Sequence, residues 1–423
     1  MNHFELKGGE LRCEDVPLAS IAAAVGTPVY VYSSATLERH FTVLRDALVS
    51  AGLKDPLIAF AVKANSNVAV LRTLAKVGAG ADVVSEGEIR RAIAGGTPPE
   101  RIVFSGVGKT EAEVAYALEI GVAEINVESE PELHLVNSVA QRMGKRAAVA
   151  FRVNPDVEAG GHAKISTGKA ENKFGVSMDQ AERLYANASN MAGVRPIGVA
   201  CHIGSQITDL APLEAAFRKM RSLVERLRAE GMGVERVDLG GGLGAPYFNQ
   251  PTPPEPADYA AMIARVMQGL PDIQFAFEPG RMIAANAGVL VARVLHVNTR
   301  PDGRKFLVLD AAMNDLLRPA MYEAYHDIRP VKPRDGAPVL YDVVGPICET
   351  GDTFTRDRSL PPLEAGDLVA FMTAGAYGAA MSSEYNSRLL APEVLVKGDR
   401  FAVVRPRPTY EDMLAREESA PWL

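Results

Sequence analysis

A lysine closes an apolar run in this chain. Leu57-Ile58-Ala59-Phe60-Ala61-Val62 leads straight into Lys63, and the turn and helix-cap residues Ala64-Asn65-Ser66-Asn67 follow. An ammonium buried without a partner is costly, and a desolvated lysine amine is the nucleophile that a Schiff base requires. The plainer reading is a side chain that lies along the strand and puts its charge in water. Further polar residues end other apolar runs: Asp82, Arg152, His202 with Ser205, Gly240-Gly241-Gly242, and Glu278-Pro279-Gly280-Arg281. Glu278 is a carboxylate at an apolar strand end and needs a cation, for which Arg281 or a protonated ring nitrogen would serve. His202 has no second histidine at ligand spacing, so no metal site is expected.

Gly240-Gly241-Gly242-Leu243-Gly244 exposes backbone N–H groups without side chains in the way, which suits a phosphate. Gly240, Gly242 and Ala245 formally fit a dinucleotide fingerprint. Pro246-Tyr247-Phe248-Asn249-Gln250-Pro251 follows and cannot open the helix that fingerprint demands, so a phosphate loop is kept and a flexible turn is the alternative. A second polar set lies further on. Cys348 and Glu349 sit in Gly345-Pro346-Ile347-Cys348-Glu349-Thr350-Gly351-Asp352, a thiol beside two carboxylates. Tyr377 is glycine-flanked in Gly375-Ala376-Tyr377-Gly378, and Arg318 and Tyr322 share a face if their segment is helical.

Positioning these groups requires two kinds of architecture. Short apolar runs alternate with amphipathic helices through the first two thirds of the chain. The expected strands are Ile58–Val62, Ala81–Val84, Ile102–Phe104, Glu124–Val127, Ala147–Val153, Gly198–His202, Arg236–Leu239 and Gln274–Phe277. That alternation predicts a (β/α)8 TIM barrel over 29–281, whose chemistry gathers at the C-terminal strand ends. After 281 the helical period fades, and strands over Val289–Val297, Lys305–Asp310, Val339–Val344, Leu368–Thr373, Glu393–Lys397 and Phe401–Val404 predict a separate all-β domain formed by 282–423 with 1–28, to which Phe4–Cys13 adds strands.

The bulk numbers agree. The 423 residues are 47% hydrophobic and 23% charged, as in globular proteins with a large core. A net charge of −7 without a long basic run argues against nucleic acid and acidic membranes. Three scattered cysteines make no disulfide framework, no secretory signal is visible, and no apolar run approaches the ~20 residues of a membrane span, so a cytoplasmic location is expected.

Taken together, the motifs resemble the fold type III pyridoxal-phosphate decarboxylases. The resemblance runs through Ala61-Val62-Lys63-Ala64-Asn65, Gly78-Ala79-Gly80-Ala81-Asp82-Val83-Val84-Ser85, His202-Ile203-Gly204-Ser205-Gln206, Asp238-Leu239-Gly240-Gly241-Gly242, Glu278-Pro279-Gly280-Arg281, Gly345-Pro346-Ile347-Cys348-Glu349 and Ala376-Tyr377-Gly378. His162-Ala163-Lys164-Ile165-Ser166-Thr167-Gly168, then Asn172-Lys173-Phe174-Gly175, and the ending Pro406-Arg407-Pro408-Thr409-Tyr410-Glu411-Asp412 narrow it to the diaminopimelate branch.

The resemblance implies an alanine-racemase-like pairing of the barrel with a β-sandwich or β-barrel domain. It implies pyridoxal 5'-phosphate as cofactor and decarboxylation of meso-2,6-diaminopimelate to L-lysine and CO2, the last step of lysine biosynthesis. By the same resemblance Lys63 bonds the cofactor, His202 stacks on its ring, and Glu278 pairs with the pyridine nitrogen. Ser205, Gly241, Gly242, Glu278, Pro279, Gly280, Arg281 and Tyr377 line the phosphate side, with Asp82 and Arg152 as supports. Arg281, Arg318, Tyr322, Glu349 and Tyr377 contact substrate. Cys348 donates a proton from the other subunit of a homodimer with shared active sites.

Three other readings compete. An ornithine or arginine decarboxylase has little use for Arg318, because the far end of its substrate is only cationic. An amino-acid racemase would favour arginine at the ring nitrogen over Glu278. A non-catalytic regulator would not need both Lys63 and Cys348.

Overall fold

The computed structural model describes residues 2–158, 172–270 and 272–422. They fall into two compact units, one of residues 38–245 with 251–283, the other of residues 1–37, 246–250 and 284–423.

The first unit is a closed parallel barrel of eight strands. In chain order they are Leu57–Ala61, Gly80–Val83, Ile102–Phe104, Glu124–Val127, Ala147–Arg152, Val194–Ala200, Arg236–Asp238 and Gln274–Phe277. The last pairs with the first through Ala276 opposite Leu57 and Phe277 opposite Ile58. Strands buried on both faces read as continuous apolar runs, which is why Leu57–Ala61 is wholly buried. Side-chain caps start the helices between strands. Ser85 Oγ accepts the Glu88 N–H, and Thr110 with Glu113, like Ser177 with Gln180, forms a reciprocal capping box.

Two expectations for the barrel need correction here. Lys63 does not end a strand: the strand stops at Ala61, and Val62–Ala64 is a 3-10 turn. The sixth strand begins at Val194 rather than Gly198, because Arg195 and Pro196 interrupt the apolar run where the pairing register also breaks. Lys109 precedes the helix Glu111–Ile120. Its side chain is fully buried and donates to the Gly106 and Asn126 carbonyls and to Glu132 Oε1 at 2.6 Å, while Thr110 caps the helix.

The second unit is mostly sheet. Its central strand, Gly288–Thr299, pairs antiparallel with Val29–Ser33 and Leu368–Phe371 through its first half and with Lys305–Leu309 through its second. Beyond these, Val339–Val344 and Thr353–Leu360 extend one side, and Glu393–Lys397 and Arg400–Arg405 the other. Ile328–Pro330 pairs with Leu368–Phe371. Val29–Ser33, expected at the start of the barrel, belongs to this sheet and lies parallel to Glu393–Lys397. A short apolar run buried on both faces is read the same way in either sheet, so its sequence does not say which it joins. Phe4–Lys7, Glu10–Cys13 and Val16–Pro17 form a small sheet of their own, and Phe4, Leu11, Cys13 and Val16 pack with Val29, Val289, Val291 and Val394. Among the described residues, no helix is long and apolar enough to cross a membrane.

Candidate active site

The C-terminal ends of the barrel strands bring the first polar set together. Lys63 Nζ donates to Asp82 Oδ2 at 2.7 Å; the lysine side chain is 39% exposed and Asp82 is fully buried. The expected desolvated lysine is therefore half open. The 3-10 turn lifts it beyond the strand layer, and Asp82, third residue of the next strand, supplies its counter-charge. An amine held by a buried carboxylate on a half-exposed side chain can reach an electrophile.

Three carboxyl groups crowd this end of the barrel. Burial holds the Asp238 carboxyl up to about 7, with Glu124 and Asp82 adding repulsion. Burial first, then Asp238 and Asp82, pushes Glu278 well above the usual carboxylate range, while Lys63 and Arg152 oppose this. Ser105 Oγ donates to Glu278 Oε1 at 3.2 Å and Asn126 Nδ2 lies 3.4 Å from the same oxygen. A basic ring nitrogen placed beside Glu278 would oppose this shift and favour its carboxylate.

His202 is held neutral. Burial lowers its pKa well below the usual value, and the charges of Arg152 and Lys63 lower it further. Its Nδ1 accepts the Gly241 N–H at 3.2 Å, so the ring proton sits on Nε2. Arg152 Nη1 donates to Glu128 Oε1 at 3.0 Å, and its guanidinium lies over the Phe174 ring at 4.7 Å.

The glycine loop is tighter than its sequence suggests. A Cβ at Gly241 would stand 2.2 Å from the Glu278 carbonyl oxygen, and Gly240 and Gly242 have φ of +65° and +107°. Two of its N–H groups are already used, Gly240 on Asp238 Oδ1 and Gly241 on His202 Nδ1. Among the described residues the Gly242 N–H has no hydrogen-bond partner, so this loop can offer it to a phosphate. Arg281 is buried and donates from Nε to Ser205 Oγ at 3.1 Å, which adds a cation and a hydroxyl. Asp82 Oδ1 is buried without a donor. An amine, an opposed carboxyl, a neutral imidazole, a buried arginine and a free N–H form a donor set that fits pyridoxal phosphate.

The second polar set lies in the sheet unit. Arg318–Tyr322 is a short helix, as the spacing allowed, and Arg318 is buried. Cys348 and Glu349 stand exposed on the turn after Val339–Val344. Asn386 Oδ1 accepts the Cys348 N–H at 3.0 Å, and Tyr385 Oη donates to Glu349 Oε2 at 3.0 Å. The thiol does not have two carboxylates beside it. Asp352 is turned inward, accepting the Met313 and Ile347 N–H groups at 2.7 Å, and serves the turn itself. Tyr377 has a φ of +56° and is partly buried. His162–Gly168 lies outside the described residues.

Sequence reasoning missed Ser105, Asn126, Asp238, His326, Tyr385 and Asn386. Ser105 follows a barrel strand, as the chosen residues do, and could have been found by that rule. Asn126 and Asp238 lie inside strands, where an apolar pattern hides single polar residues.

Residues 34–285 match the pyridoxal-binding domain of the pyridoxal-dependent decarboxylases. The chain is 50% identical over 421 residues to a diaminopimelate decarboxylase of Zymomonas mobilis, covering 99% of each. It is 49% identical to one of Pseudomonas aeruginosa, covering 100% of each. Among solved structures, the diaminopimelate decarboxylase of M. jannaschii in complex with L-lysine superposes with a TM-score of 0.95 at 38% identity over 100% of both chains.

Proposed function

The chain belongs to the pyridoxal-dependent decarboxylases, in the branch of the diaminopimelate decarboxylases, and from that premise we infer that it converts meso-2,6-diaminopimelate to L-lysine and CO2. The observation that carries this reading is the Lys63–Asp82 pair at the barrel end, whose lysine charge acts on both Glu278 and His202. The cofactor, pyridoxal 5'-phosphate, supplies when bound a conjugated ring that takes up the electron pair left as CO2 departs.

The protein's own residues do the rest. Lys63 would hold the cofactor through its amine. Glu278 keeps the ring nitrogen protonated, and neutral His202 covers the ring. Ser205, Arg281, Tyr377 and the Gly242 N–H hold the phosphate. Substrate carries an amino-acid head at each end, so the far head needs a cation for its carboxylate and an anion for its ammonium. Arg318 and Glu349 are that pair, and an arginine grips a carboxylate in bidentate fashion. Tyr322 supports them. Cys348 returns a proton to the carbon that lost CO2. Its exposure on a turn suits a group presented to the site of a second subunit, in a two-fold homodimer with shared active sites.

Glu278→Gln is expected to slow turnover at saturating cofactor roughly 10- to 150-fold, the worth of a charge-assisted contact, while cofactor affinity changes less. Unchanged turnover would reduce Glu278 to a structural carboxyl. Arg318→Ala is expected to raise KM for diaminopimelate by the same roughly 10- to 150-fold. A KM within about twofold of the parent would remove Arg318 from the far carboxylate.

A further inference from the structure

Arg318 is not left to find its own direction. Its Nη1 lies 2.9 Å from His326 Nε2, and His326 Nδ1 lies 2.9 Å from the Met372 carbonyl oxygen. A guanidinium only donates and a carbonyl only accepts. His326 therefore carries its proton on Nδ1, presents the Nε2 lone pair to Arg318, and is neutral. Both residues are buried, at 7% and 4% exposure. Tyr247 packs edge-on against the imidazole, its centroid 6.0 Å away, and lies 5.2 Å from the guanidinium carbon of Arg318.

We propose that His326 is a positioning residue for substrate selection: through Nε2 it fixes the Arg318 guanidinium in the direction that receives the far carboxylate of the substrate. This rests on the reading of Arg318 given above. A neutral imidazole aims a guanidinium without cancelling its charge, which a carboxylate in the same place would do. A long side chain held before binding loses less rotamer freedom on binding. The backbone at His326 is fixed separately. Arg358 donates to the His326 carbonyl at 3.2 Å and to Tyr325 Oη at 2.7 Å, and lies 3.7 Å from Asp327. Changes to the imidazole thus leave the segment's own anchor in place.

Two amides separate the two ring nitrogens. Asparagine at 326 reaches the Nδ1 position and keeps the tie to Met372, whereas glutamine reaches the Nε2 position and can accept from Arg318. Steady-state kinetics of the cofactor-loaded enzyme with meso-diaminopimelate should show His326→Asn raising KM roughly three- to tenfold with kcat little changed, and His326→Gln close to the parent. In an Arg318→Ala background, His326→Asn should add almost nothing, because the group it positions is gone. Equal KM for the Asn and Gln variants, or a full added effect without Arg318, would overturn the proposal. A KM unmoved by Arg318→Ala would instead overturn the Arg318 reading, so the two failures are distinct.

Discussion

Lys63→Ala is expected to lose turnover on the order of 10^4-fold or more, the scale seen when a covalent nucleophile is removed. Lys63 stands on the turn just past a barrel strand, with the buried Asp82 as its counter-charge and its own side chain 39% exposed. Alanine removes the covalent link and strands Asp82 as a buried carboxylate without its cation, so weaker cofactor retention is expected as well. Borohydride reduction of the parent enzyme followed by peptide mapping should place the cofactor on Lys63. Cofactor fixed to another lysine, such as the buried Lys109, would refute the assignment.

The second large effect is a recovery. Cys348→Ala alone and Lys63→Ala alone are each expected to be nearly inactive. Mixed and allowed to exchange subunits, they should regain roughly a quarter of parental activity. Half of the dimers in a random equal mixture are mixed, and one of the two sites in each carries both residues. No recovery, with exchange verified by a tagged subunit, would put Lys63 and Cys348 of one chain in one site.

The barrel was legible because short runs rich in apolar residues alternate with amphipathic helices, and polar residues gather at or near the C-terminal ends of those runs, where barrels do chemistry. The sheet unit was less so. Thr353–Leu360 went unread because it lies at the end of the sheet path with little of it buried, so it carries charges where an inner strand carries valines. Lys63 was found, but its openness was not, since that depends on a turn that begins one residue before it. Asp352 read as a second carboxylate beside Cys348, whereas its two backbone partners turn it inward. His326 could not be picked out at all: its meaning lies in a contact with Arg318 that only the folded chain makes.

The central claim is the reaction itself. The purified protein, supplied with pyridoxal 5'-phosphate, should release CO2 and L-lysine in equal amounts from meso-diaminopimelate, and no CO2 from L-lysine, L-ornithine or L-arginine. Release from ornithine or arginine at a comparable rate, or none from diaminopimelate by protein that holds the cofactor on Lys63, would contradict the account.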